Sequence, residues 1–279
     1  MVSIPSVLIL ARPLNCLITG LSVVVGALTA GIPPSSQRLF LAALAAALVT
    51  GAGNALNDVL DLEIDRVNRP GRPLPAGGLS PRQAVLAAVV LAVTGMLAAA
   101  AVSPVHLGIT ALVLAGLAAY SLRLKGTVLW GNLLVALLGA VAFPYGALTT
   151  GTLGRAWIPA GFAFLFHLGR EIVKDIEDIA GDRAGHARTL PLVHGPRRAA
   201  GVAVAVFALL VPFTWVPWLT GAYGLRYLAA VLAVDLLLVW TTLCLIRRPT
   251  GLPDGRLGRL LKSGMLVGLL AIVLGELNR

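Results

Sequence analysis

Charge is scarce in this chain, where Asp, Glu, Lys and Arg make up 12% of 279 residues, about half the share found in a soluble globular domain. That shortage excludes a soluble domain with a charged coat and a charged disordered tail. Cysteine is rarer still: Cys16 and Cys244 stand alone in separate apolar stretches, so a disulfide framework and a CxxC metal site are excluded and both read as small packing residues. The histidines, His106, His167, His186 and His194, lack the spacing of a metal site. Pro5 and Pro13 interrupt the first twenty residues, and no small-residue cleavage site precedes the first long apolar run. This opening is expected to be an interfacial lead-in, not a removable signal peptide.

What the chain has in abundance is apolar surface. Hydrophobic residues make up 58%, and they recur in blocks of about 17 to 25 residues, each able to cross a hydrocarbon core of ~30 Å. Nine such blocks are expected to span: 14–32, 38–56, 83–102, 105–121, 129–149, 157–172, 198–219, 225–246 and 257–277. The runs contain too few breaks for barrel strands of about 10 residues. The fold class is therefore all-α, a polytopic membrane protein, with residues 1–279 forming a single intramembrane domain. Its many Gly and Ala suit close helix packing.

Basic residues outnumber acidic ones, 22 to 12, for a net charge of +10. They are not spread evenly. Eighteen lie at Arg12 or in the segments after the second, fourth, sixth and eighth blocks, leaving only Arg38, Arg155, Arg226 and Arg279 for the opposite face. Basic residues stay on the cytoplasmic side, so the amino terminus is expected in the cytoplasm and the carboxyl terminus outside. The excess charge then reflects topology and anionic membrane lipid, and nothing points to nucleic acid. No signal in the sequence sets an oligomeric state.

Nine of the 12 acids fall in two segments of the basic face: Asp58, Asp61, Glu63 and Asp65, then Glu171, Asp175, Glu177, Asp178 and Asp182. Aligned at Asp58 and Asp175, both read DxxDxxxD. Both continue with Arg (Arg66, Arg183) and then Arg-x-Leu-Pro, 72–75 and 188–191. An internal repeat of this kind suggests two related halves, each bringing a charged helix end to one face of the bundle, where the two are expected to confront one another. Offsets of three and seven residues stay within about 60° of the starting position on a helix, so the three aspartates of each copy share a face. Asn57 and Glu171 join those faces, whereas Glu63 and Glu177 point elsewhere.

So many carboxylates repel one another unless a cation lies between them. Hard oxygen ligands favour Mg2+, which takes one or two carboxylates and completes its shell with water and phosphate oxygens. Arg69, Arg72, Lys125, Lys174 and Arg188 are at hand for a phosphorylated substrate. The plainer alternative is a set of solvated ion pairs in loops, each worth about 0–1 kcal/mol; the repeat at identical spacing weighs against it. A transporter is the alternative from another class, yet its site would lie near the bilayer midplane, and these acids begin where apolar runs end.

The pattern resembles the UbiA superfamily of intramembrane prenyltransferases. Asn57, Asp61 and Asp65 are similar to its NxxxDxxxD motif, with the NRPxRPLPxG run at 68–77 following. The stretch GREIVKDIEDIAGDRAGHARTLP looks like its second aspartate motif, and YSLRLKG at 120–126, with Gly131-Asn132 after it, is similar to a further family loop. RPLNCLITG and REIVKDIEDIAGD look most like the branch that makes archaeal-type ether lipids, the digeranylgeranylglyceryl phosphate synthases.

The resemblance implies a Mg2+-dependent enzyme at the cytoplasmic face of the cell (plasma) membrane. It would transfer a long isoprenoid, geranylgeranyl above all, from its allylic diphosphate to a lipid-soluble acceptor, with geranylgeranylglyceryl phosphate first and an aromatic ring of quinone, tocopherol or chlorophyll type as the alternative. By this resemblance Asp61, Asp65, Asp178 and Asp182 are catalytic. Asn57, Asp58, Asp61, Asp65, Asp175, Asp178 and Asp182 hold metal, with Glu171 as an additional member. Asn57, Arg69, Arg72, Tyr120, Lys125, Lys174 and Arg188 bind diphosphate, and Arg12, Arg123 or Arg188 would meet the acceptor's phosphate. Phe143, Phe162, Phe164 and Phe166 either face an allylic cation or pack. Asp235, mid-span, is either functional or a hydrogen-bonded structural acid.

Overall fold

Serine followed by proline starts helices here. Ser80 accepts from the Gln83 N–H at 3.3 Å while Gln83 Oε1 accepts from the Ser80 N–H at 2.8 Å, a reciprocal cap that leaves Pro81 at the first helical position, where it lacks no needed donor. Ser103 likewise accepts from the His106 N–H at 3.2 Å ahead of Pro104. Two long helices therefore meet across a one-residue turn, Pro81–Val102 and Pro104–Ala119.

The structure is a computed structural model and describes residues 4–250 and 255–277, so the basic residue expected at 279 lies outside the described residues. Among the described residues all regular structure is helical: α1 Ile4–Ala11, α2 Pro13–Thr29, α3 Ser36–Leu60, α4 Leu62–Asn68, α5 Pro81–Val102, α6 Pro104–Ala119, α7 Trp130–Ala147, α8 Trp157–Glu177, α9 Ile179–Ala184, α10 Leu190–His194, α11 Pro196–Leu219, α12 Leu225–Arg247 and α13 Arg256–Glu276. A π-turn, Tyr120–Leu124, extends α6, and a 3₁₀ turn, Leu148–Thr150, extends α7.

Among the described residues seven helices are long and apolar enough to cross a membrane: α3, α5, α6 with its π-turn, α7 with its 3₁₀ turn, α11, α12 and α13. The other two expected spans are also helical. Residues 14–32 correspond to α2, an apolar helix of 17 residues, and 157–172 form most of α8, which runs on to Glu177 and so carries the second aspartate segment on its last turns. The lead-in is α1, with Leu8 and Ile9 exposed and Leu10 buried.

The chain divides into two compact units, Met1–Lys125 with Ala142–Gly154, and Gly126–Val141 with Arg155–Arg279. In the first, α3 packs on α2 and α5. Small residues permit this: Ala45, Ala98 and Ala99 are buried together, and a β-carbon on Gly95 would meet Val49 at 2.9 Å. Beside them Leu10, Ala55, Leu74 and Leu79 bind the lead-in helix and the loop before α5 to α3. The second unit buries Phe166, Ile172 and Ile176 of α8 against Phe207 and Leu210 of α11 and Leu238 and Leu245 of α12, with Leu257 and Leu261 of α13.

Candidate active site: two aspartate sets

The first set is built where α3 ends. Asp61 caps α3 and opens α4 with φ −89° and ψ 5°, the sparsely populated bridge region often found at active sites. The ladder nevertheless continues through the break, from the Asp61 N–H to Asn57 O at 2.9 Å and from the Asp65 N–H to Asp61 O at 2.8 Å. Asn57, Asp58, Asp61 and Asp65 thus stay in helical sequence.

All three aspartates are buried, and each accepts from a basic side chain. Asp61 Oδ2 accepts from Lys125 Nζ and, at 2.7 Å, from the Asn57 amide. Asp65 Oδ2 accepts from Arg72 Nη1. Asp58 Oδ1 accepts from Arg72 Nη1 at 3.1 Å and also from Arg12 Nη2. Burying charge this way is costly unless it is paired, and the pairing is supplied here by nearby Arg72 and by Arg12 and Lys125, which are 46 and 64 residues from their partners. Asn57 Oδ1 is buried without a donor, an unspent hard acceptor beside two carboxylates. Arg69 is exposed, and Tyr120 is partly buried at the first position of the π-turn, a distortion frequent at functional sites.

The second set repeats the backbone device. Asp178 caps α8 and opens α9 with φ −99° and ψ 12°, and again the ladder continues, from the Asp178 N–H to Lys174 O at 2.8 Å and from the Asp182 N–H to Asp178 O at 2.9 Å. The side-chain partners differ. Asp175 Oδ2 accepts from the Asn132 amide at 2.8 Å. Burial pushes the Asp175 carboxyl up to about 7 against that hydrogen bond, and the charges of Glu171 and Asp182 add to the rise. Glu171 is buried between Arg170 at 2.8 Å and Lys174 at 2.6 Å. Lys174 therefore sits on an acid of its own helix. Arg188 is exposed, and its N–H donates to Gly126 O at 2.7 Å.

Two of the plainer readings are resolved. Glu63 forms an exposed pair with Arg66 at 2.7 Å, while Glu177 accepts from the Leu257 and Gly258 N–H groups at 2.9 and 3.0 Å and so caps α13. Asp235 accepts from Thr214 at 3.1 Å and from the Trp215 indole at 2.8 Å, the pattern of a structural acid. Phe143 and Phe166 are buried, and Phe162 packs edge-on to Phe213 with centroids 5.0 Å apart. Asn132 and Arg170 hold positions in the second set that spacing alone does not reveal; Asn132 stands 43 residues from its partner.

Among the described residues no three His, Cys, Asp or Glu side chains form a ready cage for a metal. An all-protein cage is the wrong expectation for Mg2+, which keeps several shell positions for water and phosphate oxygens. The donors present, carboxylates plus the unspent Asn57 oxygen, fit such an ion.

The chain thus joins apolar helices long enough to cross a membrane to two acidic helix breaks, at Asp61 and at Asp178. The model of the UbiA prenyltransferase family matches residues 17–262, and the chain belongs to that family. It is 40% identical over 269 residues to the digeranylgeranylglyceryl phosphate synthase of Halobacterium salinarum, covering 96% of each chain. The enzyme of the same name from Methanopyrus kandleri is also 40% identical over 269 residues, covering 95% of this chain and 96% of its own. A solved structure concerned with digeranylgeranylglyceryl phosphate synthase in membranes superposes with a TM-score of 0.77 at 26% identity over 99% of both chains. A UbiA homolog from Archaeoglobus fulgidus bound to GPP and Mg2+ shares the fold, with a TM-score of 0.76 at 21% identity over 97% of this chain and 98% of that one.

Proposed function

We propose that this protein transfers a geranylgeranyl group from its allylic diphosphate to geranylgeranylglyceryl phosphate, in the formation of an ether lipid. The observation that carries this reading is the recurrence of one backbone device, a bridge-region aspartate at a helix break, at Asp61 and at Asp178. The 40% identity to digeranylgeranylglyceryl phosphate synthases over nearly the whole chain supports the acceptor. The whole chain acts as one enzyme domain with nine spans. Its aspartate segments lie on the cytoplasmic face of the cell membrane, a reading that the distribution of basic residues supports.

Chemically, the acceptor's hydroxyl oxygen forms a bond to the allylic carbon as that carbon's bond to the diphosphate oxygen breaks. The bonding pair leaves with the diphosphate, and the hydroxyl proton is released. Bound Mg2+ supplies charge neutralisation on the departing diphosphate. In the first unit Asn57, Asp61 and Asp65 would hold Mg2+ and Arg69, Arg72, Lys125 and the Tyr120 hydroxyl would bind diphosphate oxygens; in the second, Asp175, Asp178 and Asp182 would hold Mg2+ and Lys174 and Arg188 would bind diphosphate oxygens. Lys125 and Arg72, which pair with Asp61 and Asp65, would neutralise the charge that grows as the bond breaks. The isoprenoid tails match lipid, so their binding needs no water-filled path.

The test is turnover of labelled geranylgeranyl diphosphate in liposomes with a phosphorylated glycerol ether or an aromatic acceptor, read by product mass. The ether product is expected, with activity lost in excess chelator and in Asp61→Ala and Asp178→Ala, each by about a hundredfold or more. Product from the aromatic acceptor alone would overturn the assignment of the acceptor. Solute flux without prenyl transfer would overturn the enzyme.

A further inference from the structure

Arg12 has an unusual backbone. It joins α1 to α2 at φ 56° and ψ 74°, a left-handed conformation uncommon for a residue with a side chain. Pro13 follows it and by itself favours an extended conformation at the preceding position. Two local preferences are overridden, and the contact that accompanies this is long-range: Arg12 Nη2 donates to Asp58 Oδ1, 46 residues away.

Asp58 is the one aspartate of the first set that stands outside the Asn57, Asp61, Asp65 spacing. A single oxygen of its carboxylate accepts from both Arg12 and Arg72. Arg72 also pairs with Asp65, so two guanidiniums meet two carboxylates and the charges balance, while Arg12 gives Asp58 a single N–H. The Asp58 side chain is 5% exposed and that of Arg12 is 30% exposed, so the acid is sealed while the guanidinium keeps an open side. That side lies where the lead-in helix, with Leu8 and Ile9 exposed, meets the start of an apolar helix. A junction of this kind, an interfacial lead-in passing into a span, suits a lipid phosphate whose chain runs inward. A guanidinium fork suits phosphate oxygens and retains donors beyond the one given to Asp58.

We propose that Arg12, braced by Asp58 beside Arg72, binds the phosphate of the acceptor, and that Asp58 is a positioning residue and not a metal ligand. This rests on the proposed acceptor and goes further by assigning its phosphate subsite.

Steady-state kinetics with geranylgeranylglyceryl phosphate and with its dephosphorylated analogue tests it. Charge-assisted hydrogen bonds are worth about 1.5–3 kcal/mol, about ten- to a hundredfold in affinity. Arg12→Gln should raise KM for the phosphorylated acceptor by about that factor, keep KM for the diphosphate donor within about twofold, and lower turnover of the dephosphorylated analogue far less than that of the phosphorylated acceptor. Arg12→Lys should recover part of the loss. Asp58→Asn should move the same KM without changing the Mg2+ concentration for half activity. Equal loss on both acceptors, a raised donor KM, or an altered Mg2+ requirement in Asp58→Asn would overturn the inference. A wild-type protein that fails to prenylate the phosphorylated acceptor at all would instead overturn the acceptor reading, and that outcome is seen before any variant is made.

Discussion

At the scale of single residues, chain spacing and spatial partnership carry different information. Asp58, Asp61 and Asp65 are legible in the sequence because they lie within two turns of helix and their spacing recurs at Asp175, Asp178 and Asp182. Asn132 is not, because its partner Asp175 is brought to it by packing of α8 and the first half of α7. Asn132 is 6% exposed, so its amide and the carboxylate it meets have little water to fall back on. Removing a partner that orients a metal-binding group typically costs about 10–100-fold in metal affinity. Asn132→Ala should therefore raise the Mg2+ concentration for half activity by about that factor, measured by Mg2+ titration of turnover at saturating substrates. An unchanged Mg2+ requirement would remove Asn132 from the site. Glu63 and Glu177 show the same limit of spacing from the other side. Both were legible as outside the aspartate face, yet only the fold distinguishes an exposed ion pair from a helix cap.

Elements raise that contrast to a matter of stability. Glu177 satisfies two N–H groups at the start of α13, donors that every helix leaves open, and its loss by Glu177→Ala should cost about 0.5–2 kcal/mol. Glu63→Ala should cost less than about 1 kcal/mol, because an exposed pair is worth no more. Thermal unfolding in detergent separates the two. A second element-scale feature is the crossing of α2 with the end of α7 in the first unit. A β-carbon on Gly26 would overlap the backbone of Phe143, and one on Gly146 would overlap the backbone of Val23. Backbone, unlike a side chain, does not rotate away. Gly146→Ala should thus destabilise by at least about 1–3 kcal/mol, seen as a lower unfolding temperature or lost expression, whereas Gly201→Ala, inside α11 with nothing within 4 Å of the added carbon, should keep stability or raise it by up to about 1 kcal/mol. The sequence announces abundant glycine without saying which glycines touch a neighbouring backbone. Helix breaks were similarly hidden: the acids of each segment read as one continuous helical face, and the structure interrupts each helix at the middle aspartate while keeping its hydrogen bonds.

For the whole molecule the controlling physics is the uneven placement of charge along an apolar chain. Among the described residues seven of the nine expected spans qualify by length and hydropathy. The two that do not, α2 and α8, are the shorter apolar helix and the one whose last turns carry Arg170, Glu171, Lys174 and Asp175. If both also cross, the loops alternate sides, and the 18 basic residues gather on one face with both aspartate segments. If either does not, every later loop changes sides and the segment 247–262, with Arg247, Arg248, Arg256, Arg259 and Lys262, lands outside, against the retention of basic residues in the cytoplasm. The two arrangements differ in what a thiol reagent that cannot cross membranes will reach. In a background with Cys16→Ala and Cys244→Ala, a single cysteine at exposed Leu153 should be labelled from outside intact cells. Cysteines at exposed Ala76 and exposed Arg248 should be labelled only after lysis. Labelling of the Arg248 position from outside, with Ala76 still protected, would mean that α8 fails to cross, since a failure of α2 would expose Ala76 as well. Labelling of Ala76 from outside would place the first aspartate set on the wrong face for a cytoplasmic diphosphate donor.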